Sequence, residues 1–162
     1  MKHIDITAKG SGVTVFGYGP SGSGKTRWSA SWPQPLFLSV AHERGWETIR
    51  NMDSKLLFDE SVPPVVWALD KPEELVESIG KIRELLVKEP GRYRTIVIDS
   101  GTHFLDMYLT KVENDLAATN MAKEPRNAYR ELWKRYGFDI GVLHSVCTNH
   151  GVNVIHLALD KE

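Results

Sequence analysis

The residues Gly19-Pro20-Ser21-Gly22-Ser23-Gly24-Lys25-Thr26 hold the most specific chemistry in the sequence. They satisfy the pattern G-x-x-x-x-G-K-[ST], in which successive backbone N–H groups wrap a phosphate chain. At ordinary glycine and lysine frequencies, a chance match in a chain of this length is on the order of half a percent. Gly19, Gly22 and Gly24 permit positive φ angles and close approach of backbone to ligand. A helix opening at Gly24 aims unpaired N–H groups and a positive dipole end at the anion. Lys25 sets a point charge against the β- and γ-phosphates, and the Thr26 hydroxyl is a hard oxygen ligand for Mg²⁺. Pro20, Ser21 and Ser23 complete the loop, the serines as further hydroxyl donors. The expected ligands are ATP and Mg²⁺.

The second half of such a site is an acid at the C-terminal end of a parallel strand, reaching the magnesium shell. Asp99, after the apolar run Thr95-Ile96-Val97-Ile98, fits that role. Hydrolysis further needs a group that activates water. The residue after Asp99 is Ser100 rather than Glu, so the base must come from elsewhere. Glu43 follows a second apolar run, and the ends of parallel strands converge on one crevice. Glu43 is therefore the expected base, with neighbouring His42 read as a surface or capping residue.

The elements that must hold these residues alternate along the chain. Runs at Val13–Tyr18, Pro35–Val40, Pro64–Ala68, Thr95–Ile98 and Val152–Leu159 read as strands. Helices are predicted over Gly24–Trp32, from Lys71-Pro72-Glu73-Glu74 to about Pro90, over Thr102–Leu116, and over Asn127–Cys147 with a weak point at Gly137 and Gly141. In the second of these, Leu75, Ile79, Ile82 and Leu86 share one face. Trp28 and Trp32 share a face of the first and are expected to pack in the core. Strands separated by helices imply a mostly parallel sheet covered on both faces. The fold class is thus α/β, a three-layer α/β/α P-loop NTPase forming one domain over residues 1–162. The abrupt end after the fifth strand predicts that the complete fold continues beyond Glu162.

A formal charge of −1 over 162 residues supplies no global field to draw in a polyanion or an anionic membrane. With one cysteine, Cys147, a disulfide framework is excluded, and its apolar setting predicts a buried thiol. The start, MKHIDITAKG, has no apolar signal region, and no run reaches the length of a membrane span. A cytoplasmic protein is expected.

The chain resembles the RecA-like ATPases, most closely the phage Sak-type ATP-binding proteins of recombination and single-strand annealing. The resemblance rests on GPSGSGKT (19–26), PLFLSVAHERGWETI (35–49), RTIVIDSGTHFLD (94–106) and GVNVIHLALDKE (151–162). It implies a RecA-like core with Lys25, Thr26 and Asp99 at the nucleotide and metal and Glu43 as the water-activating acid. It also implies homo-oligomeric rings or filaments with ATP between subunits, binding to single-stranded DNA, and work in the host cytoplasm beside other phage recombination or replication proteins. Arg44 and Arg50 are candidates for a residue acting across a subunit boundary. Two departures stand out. The polar sensor usual at the end of the fifth strand is replaced by Ala158-Leu159, leaving His156 or Asp160 to substitute. The following DNA loop falls beyond Glu162.

A second region bears on nucleic acid. Arg126, Arg130 and Lys134 recur at every fourth position and line one helical face, with Lys123 and Arg135 nearby. Contacts from such a stripe to phosphates would be salt-sensitive and sequence-independent. Tyr129 and Trp133 either stack on bases or turn into the core, leaving a solvated charged face. Two further functions share the phosphate loop: a nucleotide kinase, and a nucleotide-binding assembly module with little turnover. A GTPase is disfavoured by the absence of an Asn-Lys-x-Asp motif.

Overall fold

The computed structural model describes residues 12–57, 59, 62–118 and 125–160, with positions 125 and 126 described in backbone alone. Its strands are β1 (Thr14–Gly19), β2 (Pro35–Val40), β3 (Val65–Leu69), β4 (Thr95–Asp99) and β5 (Asn153–Leu159). The helices are α1 (Lys25–Ala30), α2 (Glu47–Arg50), α3 (Pro72–Lys88), α4 (Gly101–Ala118) and α5 (Pro125–Asn149). The strands form one sheet in the order β1-β5-β4-β2-β3, every pairing parallel. The expected α/β sandwich is therefore present, with its strand boundaries within a residue or two.

A parallel sheet must be covered on both faces, and strand alternation divides the core accordingly. Leu36, Leu38, Val40, Ile96, Ile98 and Val154 pack with Leu75, Ile82, Phe104 and Leu143 from α3, α4 and α5. Phe37, Val97, Ile155 and Leu157 face the other way, onto Ala30, with Trp32, Ile49 and Met52 packed around them. The predicted face of α3 is the buried one, and Pro72, Glu73 and Glu74 occupy its first turn. β2 and β4, near the middle of the sheet, are apolar almost throughout, whereas the edge strand β1 alternates and leaves Phe16 and Tyr18 exposed.

Three expectations are corrected in detail. Helix α5 runs without a break through Gly137 and Gly141, because Leu132, Tyr136, Leu143 and Cys147 bury one continuous face. Glycine costs about 1 kcal/mol in a helix, less than the burial of those side chains returns. Trp28 is 44% exposed, since α1 is short and lies beside the edge strand; Trp32 does pack inward, its ring 5.7 Å from that of Trp28 in an edge-on contact. His156 is mid-strand and turned toward α5, not toward the end of β5 where a sensor would sit. Cys147 is buried as expected, and burial pushes its thiol up to about 12. Among the described residues, no helix is long and apolar enough to cross a membrane.

His156 is nearly enclosed. The exposed Phe16 ring stacks on it at 4.8 Å, and its Nε2 lies 2.6 Å from Nε2 of His144. One ring must donate and the other accept, so the two cannot both be cationic. Burial, followed by the charge of His144, holds His156 down to about 4, and burial lowers His144 too. An unfolded histidine titrates near 6.5. The unfolded chain therefore takes up protons that the folded one refuses. This contribution to stability is complete above about pH 6.5 and is lost as pH falls toward about 4. Thermal unfolding followed from pH 7 to about pH 4 is expected to show a loss on the order of 3 kcal/mol from His156 alone. A His144→Phe/His156→Leu double variant should flatten that acid limb; an unchanged pH profile would refute the assignment.

Candidate functional site

The loop from Gly19 to Thr26 leaves the C-terminal end of β1 and turns into α1. Gly22 and Gly24 have φ of 77° and 86°, and an added Cβ at either would meet nothing within 4 Å. Their requirement is thus conformational: an L side chain would be strained there whatever the space. Gly24 is itself the left-handed cap from which α1 begins, so the first N–H groups of the helix open onto the loop. Lys25 folds back across it. Its Nζ donates to Gly19 O at 2.7 Å, Pro20 O at 2.8 Å and Ser23 Oγ at 3.3 Å.

Parallel register brings Asp99 to the same end of the sheet. Ser39 pairs with Asp99 and Gly19 with Leu159, so the ends of β1, β2, β4 and β5 lie side by side. Odd-numbered residues of β4 face α1, and there Thr26 Oγ1 donates to Asp99 Oδ2 at 2.8 Å. Neighbouring ligands on an octahedral Mg²⁺ at about 2.05 Å stand about 2.9 Å apart. The hydroxyl and the carboxylate oxygen therefore already have the spacing of two adjacent magnesium-shell oxygens. Gly45 covers the pair: a Cβ on it would stand 3.7 Å from Thr26 Oγ1 and 3.8 Å from Asp99 Oδ2.

Glu43 lies in the turn that follows β2, its N–H bonded to Val40 O at 2.9 Å. It lines the same cleft as Lys25, Thr26 and Asp99, a space of about 450 Å³. The structure adds Ser100 and His103 to this group. His103, in the first turn of α4, has Nε2 2.9 Å from Glu43 Oε1 and Nδ1 2.7 Å from Ser100 Oγ. His42 packs edge-on against His103 at 6.1 Å. The role for His103 was missed because Glu43 is far away in sequence; the available signal was a ring three residues beyond Ser100 at a helix start.

Other sequence candidates fall elsewhere. Leu159 donates its N–H to Thr102 Oγ1 at 3.0 Å, and Asp160 donates its N–H to Gly19 O at 3.1 Å, which ties the end of β5 to the loop. Arg44 is bonded to Glu47, and Arg50 lies over the Trp46 ring at 5.5 Å. On α5, Arg130 and Lys134 are exposed and so are Tyr129 at 55% and Trp133 at 58%, so these aromatics do not turn into the core. Arg135 is bound to Asp115 at 2.6 Å and Glu131 at 3.0 Å, and does not extend the stripe. Lys123 and the side chain of Arg126 lie outside the described residues. Among the described residues, the stripe shares none with the loop cleft.

A parallel sheet with a glycine-rich loop between β1 and α1, and an acid at the end of a neighbouring strand, defines a P-loop NTPase-type domain. The sequence matches the family described as an AAA domain (AAA_24) over residues 11–158, and the chain belongs to that family. Membership carries nucleotide binding and ATP hydrolysis as properties of the class, typically with Mg²⁺. Comparison with curated proteins gave no match.

Asp99 is the strained member of the site. Burial, foremost, pushes its carboxyl up; the Thr26 hydrogen bond opposes this, the charge of Glu43 adds to it, and Lys25 and His103 oppose it. A carboxylate raised in the fold costs stability whenever it is charged, and that cost is relieved as pH falls through the folded pKa. An amide would carry no such cost. Asp99→Asn is expected to keep or raise the melting temperature of the ligand-free protein while abolishing the further rise given by Mg–ATP. A melting temperature several degrees lower without ligand, or an intact Mg–ATP shift, would contradict it.

Proposed function

We propose that this protein is a Mg-dependent ATPase of RecA-like type that acts on single-stranded DNA in phage recombination or strand annealing, as a homo-oligomer. The observation that carries the ATPase reading is the convergence of Lys25, Thr26, Asp99 and Glu43 on one cleft at the ends of parallel strands. In this reading the backbone of Gly19 to Thr26 cradles the phosphates, with Pro20, Ser21 and Ser23 shaping the loop. Lys25 exchanges loop oxygens for β- and γ-phosphate oxygens. Thr26 and Asp99 hold Mg²⁺. Glu43 takes a proton from water as the water oxygen bonds to the γ-phosphorus and the bridging oxygen leaves with ADP. Glu43→Gln is expected to bind Mg–ATP and to lower kcat by about 100-fold or more. Steady-state phosphate release together with nucleotide-binding titration checks this, and turnover at the normal rate would rule Glu43 out. Lys25→Ala should lose binding itself.

The DNA reading is supported by the outward Tyr129 and Trp133 interleaved with Arg130 and Lys134 on α5. Aromatic faces stack on bases at about 1–3 kcal/mol each by alanine substitution, whatever the sequence. Cations between them contact the backbone. Binding of a fluorescent oligo(dT) to Tyr129→Ala/Trp133→Ala should be weaker by that amount. The Arg130→Glu/Lys134→Glu variant should flatten the log–log salt dependence by about one to two. Unchanged binding in both would refute the stripe. ATP turnover stimulated by single-stranded DNA would support the recombination reading, whereas phosphate transfer to a nucleoside monophosphate would replace it with a kinase.

A further inference from the structure

We propose that His103 is a positioning residue that holds the carboxylate of Glu43 in the orientation needed to take a proton from water, with Ser100 fixing the imidazole. The inference rests on Glu43 being the base, as argued above.

Glu43 belongs to a turn rather than to a strand or helix, and its side chain is 35% exposed. Such a side chain has several rotatable bonds, and confining it costs conformational entropy unless a rigid partner does so in advance. His103 is that partner. It is set in the first turn of α4, whose Phe104 is fully buried, and its own side chain is 17% exposed. The 2.9 Å contact from Nε2 to Oε1 captures one carboxylate oxygen.

The proton arrangement follows from the two contacts on the ring. A carboxylate only accepts, so Nε2 must carry a hydrogen and donate it to Glu43. In the neutral ring Nδ1 is then an acceptor, and the Ser100 hydroxyl, 2.7 Å away and 4% exposed, donates to it. The opposite tautomer would set a lone pair of Nε2 against the lone pairs of Glu43. With the ring neutral, the order Ser100 to His103 to Glu43 is a single-direction hydrogen-bond chain. It fixes Oε1 of a side chain that lines the cleft also containing Lys25 and Asp99. His42 limits tilting of the ring by packing on it from the side.

A positioning role predicts loss of rate without loss of binding. The measurement is kcat and KM for ATP in wild type, His103→Leu and His103→Gln, each also in the Glu43→Gln background. The glutamine amide can donate to the same oxygen without being able to titrate. Expected is a fall in kcat of about tenfold in His103→Leu with KM within about twofold, and recovery to within about threefold of wild type in His103→Gln. In the Glu43→Gln background His103→Leu should cause no further loss. An equal loss in that background, a rise in KM matching the fall in kcat, or a glutamine variant as slow as the leucine variant would overturn the proposal. If turnover vanishes in Glu43→Gln but runs at the wild-type rate in His103→Leu, the positioning role alone fails. If turnover survives Glu43→Gln, or wild type binds Mg–ATP without turnover, the reading of Glu43 as base fails and the positioning role with it.

Discussion

One hydrogen bond, from Thr26 Oγ1 to Asp99 Oδ2 at 2.8 Å, joins the two ends of this machine across 73 residues of chain. Everything between must be arranged so that it forms. The loop must turn directly into α1 for Thr26 to face the sheet. Strand β4 must stop where Asp99 emerges on the α1 side, and β5 must fill the space between β1 and β4 to set their distance. The sheet order β1-β5-β4-β2-β3 does this. The cost is a carboxyl group buried against its preference and beside a second acid. Stability is spent where charge is wanted, as is common at sites built for a cation.

The same geometry explains why Glu43 and His103 belong together. Both are supplied by segments that leave neighbouring strands at the same end of the sheet, β2 for Glu43 and β4 for His103. Neighbouring parallel strands deliver their following segments to a common crevice, so residues distant in sequence meet there without any dedicated contact elsewhere. The meeting of Glu43 and His103 is thus a product of the sheet order as much as of their own identities.

Local spacing made much of this visible in advance. The loop pattern is contiguous, apolar runs mark strands, and the alternating four- and three-residue spacing of Leu75, Ile79, Ile82 and Leu86 marks the buried face of α3. Asp99 was legible because its strand ends on it. What spacing could not convey is pairing between remote positions: nothing near Glu43 names His103, and nothing near His156 names His144 or Phe16. Nor does it fix which side of a helix wins the core. Tyr129 and Trp133 face outward because Ala128 and Leu132, each one position before them, already occupy the inward face of α5 with Tyr136. Trp28 was misjudged for a similar reason, since a shared helical face says nothing of how much sheet lies beneath it.

Lys25 has a consequence for how tightly and how selectively a ligand is held. An ammonium group has three protons to give, and the loop's own oxygens already receive them. An arriving anion does not meet a naked charge; it enters a trade, and its weakest competitor is the hydroxyl of Ser23 at 3.3 Å. A weakly basic or singly charged anion gains little from that trade, whereas a polyphosphate brings several oxygens and a metal at once. The loop is also cross-linked by this lysine, so little chain ordering is left to be done on arrival. Discrimination among anions then resides in an internal substitution reaction, not in raw electrostatic attraction.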